Sequence, residues 1–250
     1  MTNRDLESLT AIVTGAASGI GLAAALLLQQ RGATVAVLDL AVDDLPEGLL
    51  GFEADVTDRL QVDDAVRCAA LRLDGLDILV NNAGIGAQGT VEENTDEEWH
   101  RVLDVNVVGM ARVSAAALPY LRASSSAAIV NTCSIAATNG LPSRALYSAS
   151  KGAVFALTHA MATDYVAEGI RVNAVSPGTA STPWVDRLLA QAADPDAERA
   201  ALNARQAIGR LVTPEEVAEA ITFLASPSNG SMTGVVLEVD GGLSHLRVRT

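Results

Sequence analysis

Residues 11–28 read as a strand, a glycine turn and a helix in direct succession, and this stretch narrows the possible folds more than any other. Ala11-Ile12-Val13 is a short apolar run suited to a buried strand. Thr14-Gly15-Ala16-Ala17-Ser18-Gly19-Ile20-Gly21 follows at once, and Leu22 to Leu28 continues in helix-forming Leu and Ala. Such a turn lets backbone approach a pyrophosphate, while the helix N-terminus offers free N–H groups and a partial positive charge. The spacing Gly-x-x-x-Gly-x-Gly departs from the Gly-x-Gly-x-x-Gly of the common dinucleotide fingerprint. Taken alone, it also suits a plain tight βα connection.

Strand and helix patterns then alternate along the chain. Strands are expected near 10–14, 34–39, 51–54, 77–81, 127–132, 170–176 and 235–239, and helices near 19–31, 59–73, 96–122 (in two pieces), 145–167 and 214–226. Alternation of this kind predicts an α/β fold, a doubly wound parallel sheet with right-handed crossovers (the Rossmann fold). Ligand-binding groups then belong beyond the carboxyl ends of the strands, where Gly15, Asp39, Asp55, Asn82 and Ser134 fall. With no internal repeat, low-complexity tract or linker, residues 1–250 read as a single domain. An Ala/Asp-rich interruption at 179–205 is the candidate for a mobile substrate lid.

Three side chains carry the chemistry. Tyr147 and Lys151 stand at i and i+4, hence on one helix face, with Ser134 upstream. A phenol has an ordinary pKa of about 10, so use as a base near neutrality requires about 4 kcal/mol of stabilisation. An ammonium about 4 Å away, at an effective dielectric of about 20, supplies that order of energy. A lone Tyr-x-x-x-Lys is equally a solvated helix face with a snorkelling lysine; the glycine turn upstream gives this one its meaning. Asp39, at the end of the second strand pattern, suits a hydrogen bond to an adenosine ribose 2′-OH and would repel a 2′-phosphate. No Lys or Arg lies in the glycine turn or directly after Asp39, so the expected cofactor is NAD rather than NADP.

Charge and composition exclude other classes. The net charge of −13, from 17 Lys and Arg against 30 Asp and Glu, disfavours nucleic acid and anionic membrane surfaces. Aromatic residues make up 3 % of a chain that is 49 % hydrophobic, as expected of Val/Ile/Leu strands under Ala/Leu helices. Cys68 and Cys133 read as small apolar residues rather than a disulfide, which points to the cytoplasm. Met1 to Leu9 lacks a signal peptide's apolar core, and the apolar run Leu22 to Leu28 is too short to span a bilayer. His100, His159 and His245 show no ligand spacing, so no metal is expected.

Taken in order, these motifs resemble the short-chain dehydrogenase/reductase family, in its single-domain form, over nearly the whole chain. The resemblance rests on the turn Thr14 to Gly21, Asp55-Val56, Asn81-Asn82-Ala83-Gly84, Asn106 in Asn-Val-Val-Gly, Ser134, Tyr147, Lys151, Pro177-Gly178, Thr182 and Asp240-Gly241-Gly242. It implies hydride transfer between a nicotinamide and a secondary alcohol or ketone, with Asn106, Ser134, Tyr147 and Lys151 catalytic. Tyr147 would be the acid/base, Lys151 would hold the nicotinamide ribose, and Asn106 would anchor a water leading to Lys151. It also implies cofactor contacts from Gly15, Ser18, Gly19, Ile20, Gly21, Asp39, Asp55, Val56, Asn82, Ala83, Gly84, Pro177, Gly178, Ala180 and Thr182. A homotetramer that pairs the helices bearing Asn106 and Tyr147 is a further implication.

For the substrate, Arg144, Arg187 and Arg205 are the candidates, since a guanidinium grips a carboxylate in bidentate fashion. Residues 177–210 are similar to the branch holding type 2 hydroxybutyrate and sugar-acid dehydrogenases, in which arginines at matching positions bind the substrate carboxylate; Trp184 departs from that pattern. The expected substrate is a small hydroxy acid or sugar acid. Surface ion pairing of all three arginines is the competing explanation. Alternative functions are a 3-oxoacyl-(acyl-carrier-protein) reductase, a dehydrogenase of neutral sugars or cyclic alcohols, and a non-catalytic nucleotide-binding regulator.

Overall fold

The computed structural model describes residues 4–190 and 192–247; Gln191, within the expected lid, and the ends of the expected 1–250 domain lie outside them. Its strands are β1 (Thr10–Thr14), β2 (Thr34–Asp39), β3 (Leu50–Glu53), β4 (Ile78–Asn81), β5 (Ala128–Thr132), β6 (Arg171–Pro177) and β7 (Val236–Val239). All pair in parallel in the order β3-β2-β1-β4-β5-β6-β7. The order reverses between β1 and β4, and the crevice opens there.

Side chains of a strand alternate between faces, so each strand feeds two apolar layers. Ala36, Ile12, Leu79, Ile129 and Val172 sit in register across the sheet. They pack under α2 (Arg59–Leu73), α4 (Met110–Leu121) and α5 (Ala145–Tyr165). Val13, Val35, Val80, Val130 and Val175 face the other way, under α1 (Gly19–Gln30) and α8 (Pro214–Ala225). One polar chain crosses this interior. Asn81 Nδ2 donates to Ser114 Oγ and Asn131 Oδ1, each at 2.9 Å, and Asn131 Nδ2 donates to Thr158 Oγ1 at 3.0 Å.

Two segments differ from the sequence expectation. The helix expected over 96–122 is α3 (Asp96–Leu103), a π-helical turn Asp104–Gly109, and α4. A single π turn inserted in a helix is uncommon and favours functional positions; this one carries Asn106. Segment 96–121 is apolar enough to resemble a membrane span, but Val113, Ala117, Leu118 and Leu121 pack into the layer beneath α2, and Val102 and Met110 into smaller apolar clusters. The interruption at 179–205 contains α6 (Pro183–Ala190) and α7 (Pro195–Arg205). Asp194 caps α7, accepting from the Ala197 N–H at 3.0 Å, with Pro at the first helical position, where its missing N–H costs nothing. The two helices share a small core of Val185, Leu189, Leu202 and Leu211.

Arg171 is a buried cation with no carboxylate partner among the described residues. Its guanidinium donates to the carbonyls of Leu224 (2.7 Å), Ala225 (3.0 Å), Ser226 (3.3 Å) and Met232 (3.3 Å). It thereby satisfies the open C-terminal end of α8, where the helix dipole favours positive charge. Burial pushes its pKa below the usual arginine value. Arg171→Leu is expected to lower stability by about 3 kcal/mol, because charge-assisted bonds are lost and carbonyls are left buried. Thermal unfolding should show a drop of about 6–12 °C for a chain of this size. A Tm unchanged within 2 °C would mean that water takes over the carbonyls at no cost.

Candidate active site

A cleft of about 970 Å³ opens beyond the carboxyl ends of the strands. The glycine turn forms its floor, and two of the glycines are demanded by close approach. A Cβ on Gly15, where φ is +64°, would lie 2.7 Å from Ala83 Cα, and one on Gly21 would lie 2.3 Å from the Gly15 carbonyl oxygen. Thr14 Oγ1 accepts from the N–H groups of Asn82 (3.0 Å) and Ala83 (3.1 Å). Asn82 Nδ2 returns bonds to the Thr14 and Gly15 carbonyls at 3.2 and 2.9 Å. The segment after β4 is thus strapped to the turn after β1, which brings Asn82, Ala83 and Gly84 to the cleft beside Gly15, Ser18, Gly19 and Ile20. Ser18 sits at the N-cap of α1 without capping it.

At one end of the cleft the Asp39 carboxylate is fixed by two backbone donors, Ala17 N–H at 2.8 Å and Leu40 N–H at 2.7 Å. Asp55 Oδ1 is held by the backbone N–H (2.8 Å) and hydroxyl (2.7 Å) of Thr57, and the Val56 carbonyl by Arg112 at 3.2 Å. Asp39, Asp55 and Val56 all line the cleft. A cleft with a glycine floor and fixed carboxylates at one end fits a nucleotide: the glycines let backbone approach a pyrophosphate.

At the other end stand Ser134, Tyr147 and Lys151. Lys151, the only lysine in the chain, is 5 % exposed. Its Nζ donates to the Thr132 carbonyl at 2.8 Å and lies 5.9 Å from the centroid of the Tyr147 ring. A chain that otherwise places Arg at every basic position keeps a compact ammonium here, where three donors on a point charge can serve several oxygens. Ser134 Oγ accepts from Ala136 N–H at 3.2 Å, which leaves its own proton available to the cleft. Behind it, burial pushes the Cys133 thiol pKa up, so that sulfur behaves as an apolar filler.

Asn106 does not line the cleft; it is completely buried behind it. Its Oδ1 accepts from Ile85 N–H at 2.8 Å, while Nδ2 donates to the Ile85 carbonyl at 2.9 Å and to Ser150 Oγ at 3.0 Å. Ser150 Oγ in turn donates to the Tyr147 carbonyl at 2.8 Å. A Cβ on Gly84 would sit 3.1 Å from Asn106 Oδ1 and 3.6 Å from Lys151 Nζ, so both side chains converge on that glycine. These bonds reach across the fold and are not the local backbone bond of an ordinary helical Asn. Gly21 is likewise behind the cleft, packed against Asn82 Nδ2.

Pro177, Gly178, Ala180 and Thr182 border the cleft where β6 runs into α6. Thr182 Cγ2 stands 3.6 Å from the position of a Cβ on Gly19, so the base of α6 lies over the glycine turn. Arg144, Arg187 and Arg205 line this same end. Arg144 Nη1 donates to the Ala87 carbonyl at 2.9 Å, and its guanidinium lies 5.9 Å over the Trp184 ring. Burial is the main cause that lowers its pKa; Tyr147 and Glu198 oppose this, while neighbouring Arg205 adds to it. Among the described residues none of the three arginines forms a salt bridge, whereas Arg199 pairs with Asp186 at 3.0 Å and Arg210 with Glu216 at 2.6 Å. Arg210, close by in sequence, pairs with Glu216 of the α8 capping box, and its hydrogen bond draws the Glu216 pKa down to about 2.

Some of the site was not anticipated. Thr14 and Thr132 anchor Asn82 and Lys151, and a threonine ending each strand was the available signal. Gly86 seats the edge of Trp184; the second glycine of Gly84-Ile85-Gly86 was a hint without a partner. Among the described residues no three His, Cys, Asp or Glu side chains gather as a metal site would require.

The sheet order, the glycine floor and the Ser134, Tyr147 and Lys151 group define an oxidoreductase built on a dinucleotide-binding fold. Residues 15–244 match the family described as enoyl-(acyl carrier protein) reductase. The cis-4-hydroxycyclohexanecarboxylate dehydrogenase of Sinomonas cyclohexanicum is 45 % identical over 93 % of this chain and 95 % of its own. The 3-oxoacyl-(acyl-carrier-protein) reductase of Thermotoga maritima is 38 % identical over 95 % of this chain and 98 % of its own. The ligand-free structure of Thermoplasma acidophilum aldohexose dehydrogenase superposes with a TM-score of 0.93 at 34 % identity, covering 99 % of this chain and 98 % of that one. The chain belongs to the short-chain dehydrogenase/reductase family.

Proposed function

We propose that the protein is an NAD-dependent dehydrogenase that interconverts the secondary alcohol and ketone of a small hydroxy acid or sugar acid. The observation that carries the substrate class is the convergence of Arg144, Arg187 and Arg205, unpaired by carboxylates among the described residues, on the end of the cleft that holds Tyr147. In a chain of net charge −13, Arg144, Arg187 and Arg205, three of the four arginines that line the cavity (Arg101 is the other), make a local anion site. The 45 % identical relative is named for a hydroxy acid, which supports the same reading.

The cofactor held by the glycine-floored cleft would supply the hydride acceptor for the carbinol carbon. Tyr147 takes the hydroxyl proton as the hydride departs, and the Ser134 hydroxyl donates to the same oxygen and stabilises the charge that builds there. Lys151 sets a fixed positive charge beside the phenol and holds the nicotinamide ribose. Asn106 fixes the Ile85 backbone and, through Ser150, the turn that presents Tyr147. The remaining contacts assigned to the cofactor are those of the glycine turn, Asp39, Asp55, Val56, Asn82 to Gly84, Pro177, Gly178, Ala180 and Thr182. Segment 179–205 serves as the lid, and the enzyme works in the cytoplasm as a homotetramer.

Matched acid and amide substrates test the carboxylate. The acid should be preferred, and Arg205→Met should raise its KM about tenfold or more, the loss of one charge-assisted hydrogen bond of about 1.5–3 kcal/mol. Equal use of acid and amide would remove the carboxylate and leave a dehydrogenase of neutral alcohols.

A further inference from the structure

The wall of the substrate end answers a question that the arginines leave open, namely what lies between the carboxylate and the carbinol. Beside Ser134, Tyr147 and the arginines, the cleft lining includes the apolar side chains of Ile135, Leu141, Trp184, Leu188 and Leu202. A polyhydroxylated acid brings several hydroxyls that must find partners, and an apolar wall leaves them unsatisfied at a cost. Trp184 dominates this wall. A Cβ on Gly86 would fall 2.3 Å from Trp184 Cζ2, 3.0 Å from Cε2 and 3.1 Å from Cη2, so the benzo edge of the indole abuts bare backbone of the loop after β4. The Arg144 guanidinium stacks 5.9 Å from the ring centroid and is tied to the same loop through the Ala87 carbonyl. The indole is thereby held at one edge by Gly86 and over one face by Arg144, and it remains 42 % exposed while lining the cleft. A rigid flat apolar surface next to an anchored cation is complementary to a flat or puckered hydrocarbon ring bearing a carboxylate.

We propose that Trp184, seated on Gly86 and stacked against Arg144, is a specificity-determining residue that favours hydroxy acids with an alicyclic body over open-chain and polyhydroxylated ones. The proposal rests on the dehydrogenase reading above and narrows its substrate. It assigns Gly86 a role as well: the missing side chain leaves room for the edge of the indole.

The test compares kcat/KM, with NAD, for 4-hydroxycyclohexanecarboxylate, 3-hydroxybutyrate and gluconate in the parent and in Trp184→Ala, Trp184→Phe and Gly86→Ala. The ring acid should be the best substrate of the parent. The ratio of ring acid to 3-hydroxybutyrate should fall about tenfold or more in Trp184→Ala, as expected for losing an aromatic face worth about 1.4 kcal/mol. Trp184→Phe, which keeps a flat apolar face, should hold the ratio within about threefold, and Gly86→Ala, which displaces the indole without deleting it, should lower the ratio by about threefold or more. The ratio is taken on one preparation, so a partly unfolded variant cannot imitate the effect. An unchanged ratio in Trp184→Ala, or a parent that prefers gluconate, overturns the proposal. Cyclohexanol against 2-butanol gives the same ratio without a carboxylate. Failure of the carboxylate reading, seen as equal use of acid and amide, is thereby separated from failure of the Trp184 assignment.

Discussion

Tyr147→Phe is expected to lower kcat by about a thousandfold or more while leaving NADH affinity within about threefold, since a positioned acid/base contributes about 10²–10⁴. The substitution removes one oxygen and retains the ring, which packs beside Ala87, Val102 and Leu146. The backbone carbonyl of residue 147, which receives Ser150 Oγ at 2.8 Å, is untouched. Lys151 keeps its own anchor on the Thr132 carbonyl, so the fixed charge and the nucleotide floor should persist without the phenol. Steady-state turnover of any identified alcohol, with NADH binding followed by fluorescence, separates the two effects. A variant that turned over within tenfold of the parent would show that some other group moves the proton. A variant that lost NADH affinity in parallel would show the phenol to be a cofactor ligand first.

The parts of the fold legible in sequence are those held by local pattern. Strands buried on both faces, such as Ala11 to Val13 and Ile129 to Val130, read as continuous apolar runs, because helices cover a parallel sheet on both sides. The motif residues were legible because a glycine turn and a helical i,i+4 pair impose their own spacing. The π turn at Asp104–Gly109 was not, since its cause is tertiary. Asn106 must clamp Ile85 while Gly109 passes Val56, where a Cβ would come within 2.9 Å of Val56 Cγ2. For α7, Asp194 before Pro195 was a start signal hidden by an Ala-rich surround. The convergence of Arg144 with Arg205, and the seating of Trp184 on Gly86, join segments far apart in the chain. Residue type alone marked those arginines as candidates, and only their packing makes them neighbours.

Cofactor choice provides the second large effect: kcat/KM with NAD(H) should exceed that with NADP(H) by about a thousandfold, equivalent to about 4 kcal/mol. Asp39 ends β2 with a carboxylate that cannot swing aside, since Ala17 N–H holds one oxygen and Leu40 N–H the other. A ribose 2′-OH donates to such a group, whereas a 2′-phosphate brings like charge to within about 4 Å, a repulsion of about 4 kcal/mol at an effective dielectric of about 20. The same bonds mean that Asp39 does more than select. It ties the glycine turn to the end of β2, so Asp39→Ser should weaken NADH binding as well as relieve the repulsion. The preference should therefore narrow by about thirtyfold or more, through activity gained with NADPH as the repulsion is relieved and activity lost with NADH as a charged acceptor worth about 1.5–3 kcal/mol is removed. Kinetics with both coenzymes on parent and variant decide the matter. A parent that used NADPH within tenfold of NADH would mean that the carboxylate is neutralised when coenzyme binds, and the argument from Asp39 would fall with it.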